Sequence, residues 1–169
     1  MTVEELARER LGFAALRPGQ REGVEAVTGG RDALCVMSTG SGKSAIYQLA
    51  GLILDGPTIV VSPLIALQRD QMEAAEEGIA EAEVINSTLS ERQREDAFED
   101  AEQGEVEFIL LAPEQLANDE VLERLRAAKP SLFVVDEAHC VSQWATTSGP
   151  ITCACPRRSR RSGARRCWR

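Results

Sequence analysis

Short apolar runs and longer helical patterns alternate along residues 1–144, and this alternation constrains the fold more than any other feature. The runs are rich in β-branched residues and lie at 32–37, 58–62, 83–86, 108–112 and 132–136. The stretches between them place apolar residues at helical spacing, as in SAIYQLAGLIL and DEVLERLRAA. Strands that are apolar on both faces and separated by helices predict a parallel sheet covered by helices on both faces. The sequence therefore predicts an α/β fold built around one sheet.

Several helix boundaries are marked by capping residues. Thr2 followed by Glu5 predicts a capping box, and Ser90 precedes an acidic first turn. Gly78 and Gly104 are the predicted ends of their helices, because glycine adopts the left-handed conformation that closes a helix.

The segment MSTGSGKSAIYQLA follows the first apolar run and is typical of a phosphate-binding loop. Gly40 and Gly42 allow the backbone to curl so that its N–H groups face a phosphate, and the next helix adds the positive end of its dipole. Lys43 is placed for the β- and γ-phosphates of a nucleotide, and the Ser44 hydroxyl for Mg²⁺. The strict pattern has glycine where this chain has Met37. The alternative is a Gly/Ser turn followed by a helix cap.

The segment DEAH at 136–139 follows the last apolar run and supplies the carboxylates that such a site needs. Asp136 is predicted to hold Mg²⁺ through its water shell, and Glu137 to polarise the attacking water. The alternative is an acidic strand end that faces solvent. Ligands of parallel sheets bind at the carboxyl ends of strands, so we expect the chemistry just after residues 37, 62, 112 and 136.

Together these segments resemble the superfamily 2 helicases and, within them, the RecQ family of DNA helicases. The segment GFAALRPGQ at 12–20 resembles the RecQ adenine-recognition motif, in which a glutamine and the arginine ahead of it read the base. In this chain these residues are Gln20 and Arg17. Two positions depart from the family pattern, which has an aromatic residue where this chain has Leu16 and an arginine where it has Gln115. The matching segments are GFAALRPGQ, MSTGSGKSAIYQLA, VVSPLIALQRDQ, NSTLS, LLAPEQL and DEAHCVSQW.

The resemblance implies a RecA-like motor lobe that uses ATP and Mg²⁺ and acts on single-stranded or forked DNA. The implied ATP-binding residues are Arg17, Gln20, Thr39, Gly40, Ser41, Gly42, Lys43 and Ser44. The implied catalytic residues are Lys43, Asp136, Glu137 and His139, and the Mg²⁺ ligands are Ser44 and Asp136. The implied DNA-binding residues are Ser62, Pro63, Ala112 and Pro113. Without the family, these last four are ordinary strand-to-helix turns, and His139 is equally a strand-end residue.

Charge and cysteine content divide the chain at residue 144. Residues 145–169 contain seven arginines and no acidic residue, so residues 1–144 carry a net charge of −15 against −8 for the whole chain. An acidic body argues against broad binding to a phosphate backbone but leaves room for a local basic groove. Cys35 and Cys140 lie in or beside apolar runs and are predicted to be near-core thiols. Three more cysteines lie in the tail, where a structural zinc site would lack its fourth ligand.

The tail from Ala145 has a specific explanation as out-of-frame translation. RecQ proteins typically continue after DEAHCVSQW with a peptide such as GHDFRPDYLRL. GC-rich codons chosen for that peptide, read after loss of one G, translate as ATTSGPITCA followed by a codon that begins TG. This agrees with every residue from Ala145 to Cys155. The alternative is an evolved basic DNA-binding arm, for which RRSRRSGARR qualifies by composition.

The sequence therefore predicts two regions: an incomplete helicase ATP-binding lobe at 1–144 and a non-native, disordered basic tail at 145–169. We expect the ATP-binding half of a RecQ-like ATP-dependent DNA helicase that does not unwind DNA alone, because the second lobe supplies the arginine finger. The alternative is a non-catalytic remnant or an ATP- or DNA-binding module without turnover. No apolar run approaches the roughly 20 residues of a membrane span. The N-terminus does not resemble a signal peptide, which favours the cytoplasm, and nothing indicates an oligomer.

Overall fold

The computed structural model describes residues 1–38, 40–63, 82–86 and 89–141. Two compact units contain them, one within Met1–Asp55 and the other within Gly56–Ala154. The helix predicted at 64–78, its end at Gly78 and the tail at 145–169 lie outside the described residues.

The first unit is built from three amphipathic helices, α1 (Val3–Leu11), α2 (Gln20–Thr28) and α3 (Ser44–Ile53). The predicted capping box of α1 is confirmed, since Thr2 Oγ1 accepts from the Glu5 N–H at 3.2 Å and Glu5 accepts from the Thr2 N–H at 2.7 Å. Apolar residues three or four apart place one face of each helix in a shared core. The buried members of this core are Leu6, Ala7, Val24, Ile46 and Leu49.

The strand predicted at 32–37 is wrong, because residues 31–38 are irregular. Leu34 and Val36 are 81% and 86% exposed, and Cys35 is also exposed rather than near the core as predicted. An apolar run has the side chains of a buried strand, but a strand forms only when neighbouring backbone accepts its hydrogen bonds. All four strands of the described sheet lie within the second unit.

Gly23 lies at a close contact between α2 and α3 in the first unit. A Cβ at this position would lie 2.9 Å from Ile46 Cγ2 and 3.3 Å from Cys35 Sγ. We therefore expect Gly23→Ala to lower the free energy of unfolding by about 1–3 kcal/mol, although alanine ordinarily favours a helix. Urea unfolding followed by circular dichroism measures the change. The double variant Gly23→Ala/Ile46→Ala removes the clashing methyl groups, and its loss must be smaller than the sum of the two single losses; strict additivity would contradict the clash.

The second unit is built around a parallel sheet of β1 (Thr58–Val61), β2 (Ala82–Ile85), β3 (Phe108–Leu111) and β4 (Leu132–Val135). The strand order is β2-β3-β1-β4, and every neighbouring pair is parallel. These four strands confirm the remaining predictions to within one residue at each end.

Two helices pack on one face of this sheet, α4 (Glu91–Gln103) and α5 (Asp119–Ala127), with a 3₁₀ turn at Pro113–Ala117 between β3 and α5. The predicted limits of α4 are confirmed, because Ser90 Oγ accepts from the Gln93 N–H and Gly104 closes the helix at a φ of 78°. All residues of β1 and β3 are buried, on both faces of the sheet. The core on the helix-covered face includes Ile59, Val61, Ile85, Ile109, Leu111, Phe98, Val121 and Leu125.

The two outer strands of the described sheet differ in exposure and charge. In β4 only Leu132 is buried, whereas the three following residues are half-buried. The opposite outer strand, β2, contains Glu83, while β4 reads LFVV without a charged residue. Among the described residues, no helix combines the length and apolar character required to cross a membrane.

Candidate nucleotide-binding site

The loop that precedes α3 has the backbone conformation expected of a phosphate-binding loop. Gly40 and Gly42 have φ values of 74° and 79°, which favour glycine over residues with a Cβ. The backbone then enters α3 directly, with Lys43 as the helix cap and Ser44 as the first helical residue. The first turn of α3 therefore adds the positive end of its dipole beside the loop. Thr39 lies outside the described residues.

Arg17 and Gln20, which the resemblance implies for base recognition, both contact this loop. Arg17 Nη1 donates to the Gly40 carbonyl at 2.8 Å. Gln20 is 2% exposed, and its Nε2 donates to the Gly42 carbonyl at 2.8 Å and to the Ser41 carbonyl at 3.4 Å. A Cβ on Gly42 would lie 2.6 Å from Gln20 Nε2, so the glycine is required by this contact as well as by its φ value.

The Lys43 ammonium lies close to its own loop. Its Nζ is 3.5 Å from the Met37 carbonyl, the one hydrogen bond recorded for this side chain among the described residues. This contact is long, and a phosphate oxygen would replace it with a shorter, charge-assisted hydrogen bond. Lys43 is thus held at the loop by a weak contact only.

In the second unit, the carboxyl ends of neighbouring strands bring several predicted site residues to one edge of the sheet. The backbone ladder continues one residue beyond each strand: the Asp136 N–H donates to the Val61 carbonyl at 2.8 Å, and the Ser62 N–H donates to the Leu111 carbonyl at 3.1 Å. The Ala112 N–H likewise donates to the Ile85 carbonyl at 3.2 Å. Three of the four predicted positions therefore lie at this edge, and the fourth, after residue 37, does not belong to the described sheet.

The acidic segment after β4 has a strained backbone. Glu137 lies in the left-handed region, with φ 49° and ψ 46°, which costs a residue with a Cβ roughly 1–2 kcal/mol. Its N–H donates to Asp136 Oδ1 at 3.0 Å, and its Oε2 lies 3.2 Å from His139 Nδ1. The structure thus joins Asp136, Glu137 and His139 in one local chain of contacts, which the sequence spacing does not predict.

The predicted DNA-binding residues lie at the same edge but offer little side-chain surface. Ser62, Ala112 and Pro113 are buried, and Pro63 is half-buried. Asn86, the first residue of the NSTLS segment, is also buried where β2 ends. The position of a polar residue directly after a predicted strand is the sequence signal that could have added Asn86 to the candidate site residues.

The two predicted Mg²⁺ ligands are each of the chemical type that this ion prefers. Mg²⁺ takes hard oxygen ligands and usually binds through one or two protein groups together with phosphates and water. The Ser44 hydroxyl and the Asp136 carboxylate are such groups, each within its own unit. Within the described ranges, no cluster of three His, Cys, Asp or Glu residues forms a protein-only metal cage.

A parallel sheet with polar residues at its carboxyl edge, together with a glycine loop that leads into a helix, defines the class of RecA-like P-loop NTPase lobes. A family model described as "DEAD/DEAH box helicase" matches residues 17–158. The chain therefore belongs to the DEAD/DEAH box helicase family, and this match extends beyond Trp144 into the arginine-rich tail.

Curated relatives confirm the resemblance to RecQ helicases. The chain is 40% identical over 134 residues to the probable ATP-dependent DNA helicase RecS of Bacillus subtilis, covering 79% of this chain and 27% of that protein. It is 38% identical over 143 residues to the ATP-dependent DNA helicase RecQ of the same organism, covering 84% of this chain and 24% of that protein. The chain thus spans about a quarter of the length of these relatives.

A solved structure shares the fold. The Mycobacterium smegmatis helicase Lhr, bound to ssDNA and AMP-PNP, matches with a TM-score of 0.56 and 24% identity, covering 80% of this chain and 20% of that one. At this identity the likeness shows the fold alone, and it agrees with the predicted α/β lobe.

Proposed function

We propose that this chain is the ATP-binding half of a RecQ-like DNA helicase. The observation that carries the proposal is the loop before α3, where Gly40 and Gly42 take left-handed conformations and Lys43 caps the helix. In a family of helicases, such a loop supports binding of the β- and γ-phosphates of ATP.

In the proposed reaction a water molecule attacks the γ-phosphorus, the bond to the β-phosphate oxygen breaks, and ADP and phosphate result. Lys43 would bind the β- and γ-phosphate oxygens. Ser44 and Asp136 are the residues that would hold Mg²⁺ by the family resemblance, and the ion would neutralise charge on the phosphates. Glu137 accepts the proton of the attacking water. Its contact with His139 at 3.2 Å orients the carboxylate, so we assign His139 to positioning it.

Single-stranded DNA is the proposed partner, at the carboxyl edge of the sheet. The side chains of Ser62, Ala112 and Pro113 are buried, and the N–H groups of Ser62 and Ala112 already donate within the sheet. Because proline has no N–H, the four predicted residues locate the proposed surface without donating backbone N–H groups to phosphates. Asp136 donates its N–H to the residue before Ser62, so the ladder of β1 and β4 connects this surface to the proposed Mg²⁺ ligand.

We further propose that residues 145–169 are out-of-frame sequence and that the 169-residue chain, assayed alone, does not unwind DNA. P-loop motors use an arginine finger to stabilise the transferring phosphoryl group, and RecQ-like helicases take it from a second lobe. A module that binds ATP or DNA without turnover is the second candidate function.

The test is to titrate the purified chain with Mg-AMP-PNP by calorimetry and to follow strand separation on forked DNA. We expect saturable nucleotide binding and no strand separation. Absence of binding by a chain with an intact melting transition would overturn the proposed function. DNA-stimulated ATP turnover that Lys43→Ala abolishes would instead overturn the proposed dependence on a second lobe.

A further inference from the structure

The amino end of β4 is held to the segment before β1 by two hydrogen bonds from one residue. The Ser131 N–H donates to the Pro57 carbonyl at 3.0 Å. The Ser131 hydroxyl donates to the Gly56 carbonyl at 2.7 Å. One half-buried serine, directly before the strand begins, therefore binds two successive carbonyls.

The backbone on both sides of this junction allows a close approach. Gly56 has a φ of 111°, and a Cβ there would lie 3.3 Å from the Lys129 carbonyl oxygen and 3.7 Å from Ser131 Cβ. Lys129 lies in the left-handed region with a φ of 52°. Pro130 follows, and its ring fixes its own φ immediately before Ser131. The short serine side chain reaches the Gly56 carbonyl because the two segments lie so close together.

The side chains of β4 do not by themselves select its register on β1. Successive side chains of a strand alternate between faces, so a slip of two residues returns each side chain to the same face. All four residues of β4, LFVV, are apolar, and among the described strands β4 pairs with β1 alone. The observed register, with Leu132 beside Thr58, therefore depends on the polar contacts at the two ends of the strand.

The register of β4 decides where Asp136 lies. The Asp136 N–H donates to the Val61 carbonyl at 2.8 Å, one residue beyond the carboxyl end of the strand. A slip of two residues would displace Asp136 along the strand direction by about 6.6 Å. Mg²⁺ demands near-ideal octahedral geometry, so a ligand that is displaced, or that fluctuates about its position, binds the ion more weakly.

We propose that Ser131 is a positioning residue for Asp136, which it holds in register from the opposite end of β4. The proposal rests on the proposed function, in which Asp136 is a ligand of the nucleotide-bound Mg²⁺ ion. Ser131 acts through the strand, because it precedes the first residue of β4 whereas Asp136 follows the last.

Amide hydrogen exchange of the Asp136 N–H, followed by NMR on the 169-residue chain, tests the anchoring without any nucleotide. Ser131→Ala removes the hydroxyl and leaves the intrinsic exchange rate of Asp136, five residues away, unchanged. We expect exchange at Asp136 to become about 5-fold faster, because the closed strand loses a hydrogen bond that local opening would otherwise have to break.

The effect on the ion is tested by the affinity for AMP-PNP with Mg²⁺ divided by the affinity without it, both measured by calorimetry. Ser131→Ala is expected to lower this ratio about 3-fold, while the affinity without Mg²⁺ changes by less than about 2-fold. A loss of stability alone would not change the ratio, because both titrations use the same folded protein.

Ser90→Ala is the matched control, because it removes a hydroxyl of the same unit that caps α4 by accepting from the Gln93 N–H. The lost cap lowers stability, and we expect both the exchange at Asp136 and the Mg²⁺ ratio to stay within about 2-fold of the wild type. Ser131→Thr and Ser131→Val have nearly the same shape and differ in the hydroxyl, so the first should match the wild type and the second Ser131→Ala. This pair keeps the test valid if Ser131→Ala does not fold.

Two results would overturn the proposal. If Ser131→Ala and Ser90→Ala change the exchange at Asp136 equally, the effect is general destabilisation. If exchange at Asp136 rises in Ser131→Ala and the Mg²⁺ ratio is unchanged, Ser131 anchors the strand without positioning the ligand. A wild-type chain that binds no nucleotide defeats the proposed function itself, and the exchange comparison then still decides whether Ser131 anchors β4.

Discussion

Replacing Lys43 by alanine is expected to weaken Mg-ATP binding by about 100-fold while leaving the melting temperature unchanged. A charge-assisted hydrogen bond to a phosphate contributes about 1.5–3 kcal/mol, and the variant also leaves phosphate charge without its cation. The stability is expected to be unchanged because the hydrogen bond that the variant removes, from Lys43 Nζ to the Met37 carbonyl, is long at 3.5 Å. Calorimetric titration with Mg-AMP-PNP measures the affinity, and thermal unfolding measures the stability.

The control for this result is Arg31→Ala, which removes one positive charge from an exposed residue of the same unit. We expect it to change the affinity by less than about 2-fold, since an exposed charge outside the loop acts only through screened electrostatics. If Lys43→Ala binds within about 3-fold of the wild type, the loop before α3 does not bind the phosphates and the proposed site is wrong.

Restoring the reading frame is expected to have the largest effect of all. Insertion of one G after the codon for Trp144 should let the gene read GHDFRPDYLRL and continue into a second lobe. The product is expected to hydrolyse ATP in the presence of single-stranded DNA at least about 10³-fold faster than the 169-residue chain, because an arginine finger contributes 10³–10⁵ in rate. A coupled ATPase assay with and without DNA makes the comparison.

Sequencing across the codons for Gln143 to Ala145 decides whether this experiment is meaningful. If the next frame encodes no such peptide, the out-of-frame proposal is wrong and the arginine-rich tail needs its own explanation. The family match as far as residue 158 makes this a sharp test, since native helicase sequence there needs no frame change. The restored protein carrying Lys43→Ala is the control, and any turnover it shows belongs to a contaminant.

The parts of this molecule that depend on local pattern could be predicted from the sequence. Strands β1, β3 and β4 are short runs of β-branched or apolar residues, fully buried in β1 and β3 and partly buried in β4. The caps at Thr2 and Ser90 act within one turn. The segment at 32–37 is also mostly apolar but has no partner in the described sheet. Composition reports what a strand can bury, whereas pairing depends on the rest of the fold.

The candidate site likewise contains some features that a local sequence pattern predicts and others that it does not. Gly40, Gly42 and Lys43 could be placed because a loop that turns into a helix requires particular residue types at fixed spacing. The anchoring of loop carbonyls by Arg17 and Gln20 spans more than twenty residues of sequence, and the left-handed backbone of Glu137 occurs in a residue type that rarely adopts it. Neither arises from a local pattern, so both required the three-dimensional structure.

The difference between the two outer strands bears on how the protein behaves when it is produced. Outer strands that carry a charge resist pairing with other chains, and Glu83 provides such a charge on β2. The four residues of β4 provide none, and three of them are half-buried. We therefore expect any association between chains to involve β4, so that the soluble yield falls as the protein concentration rises. Val134→Lys would place a charge on β4 and is expected to reduce this association, without replacing any residue of the proposed nucleotide site.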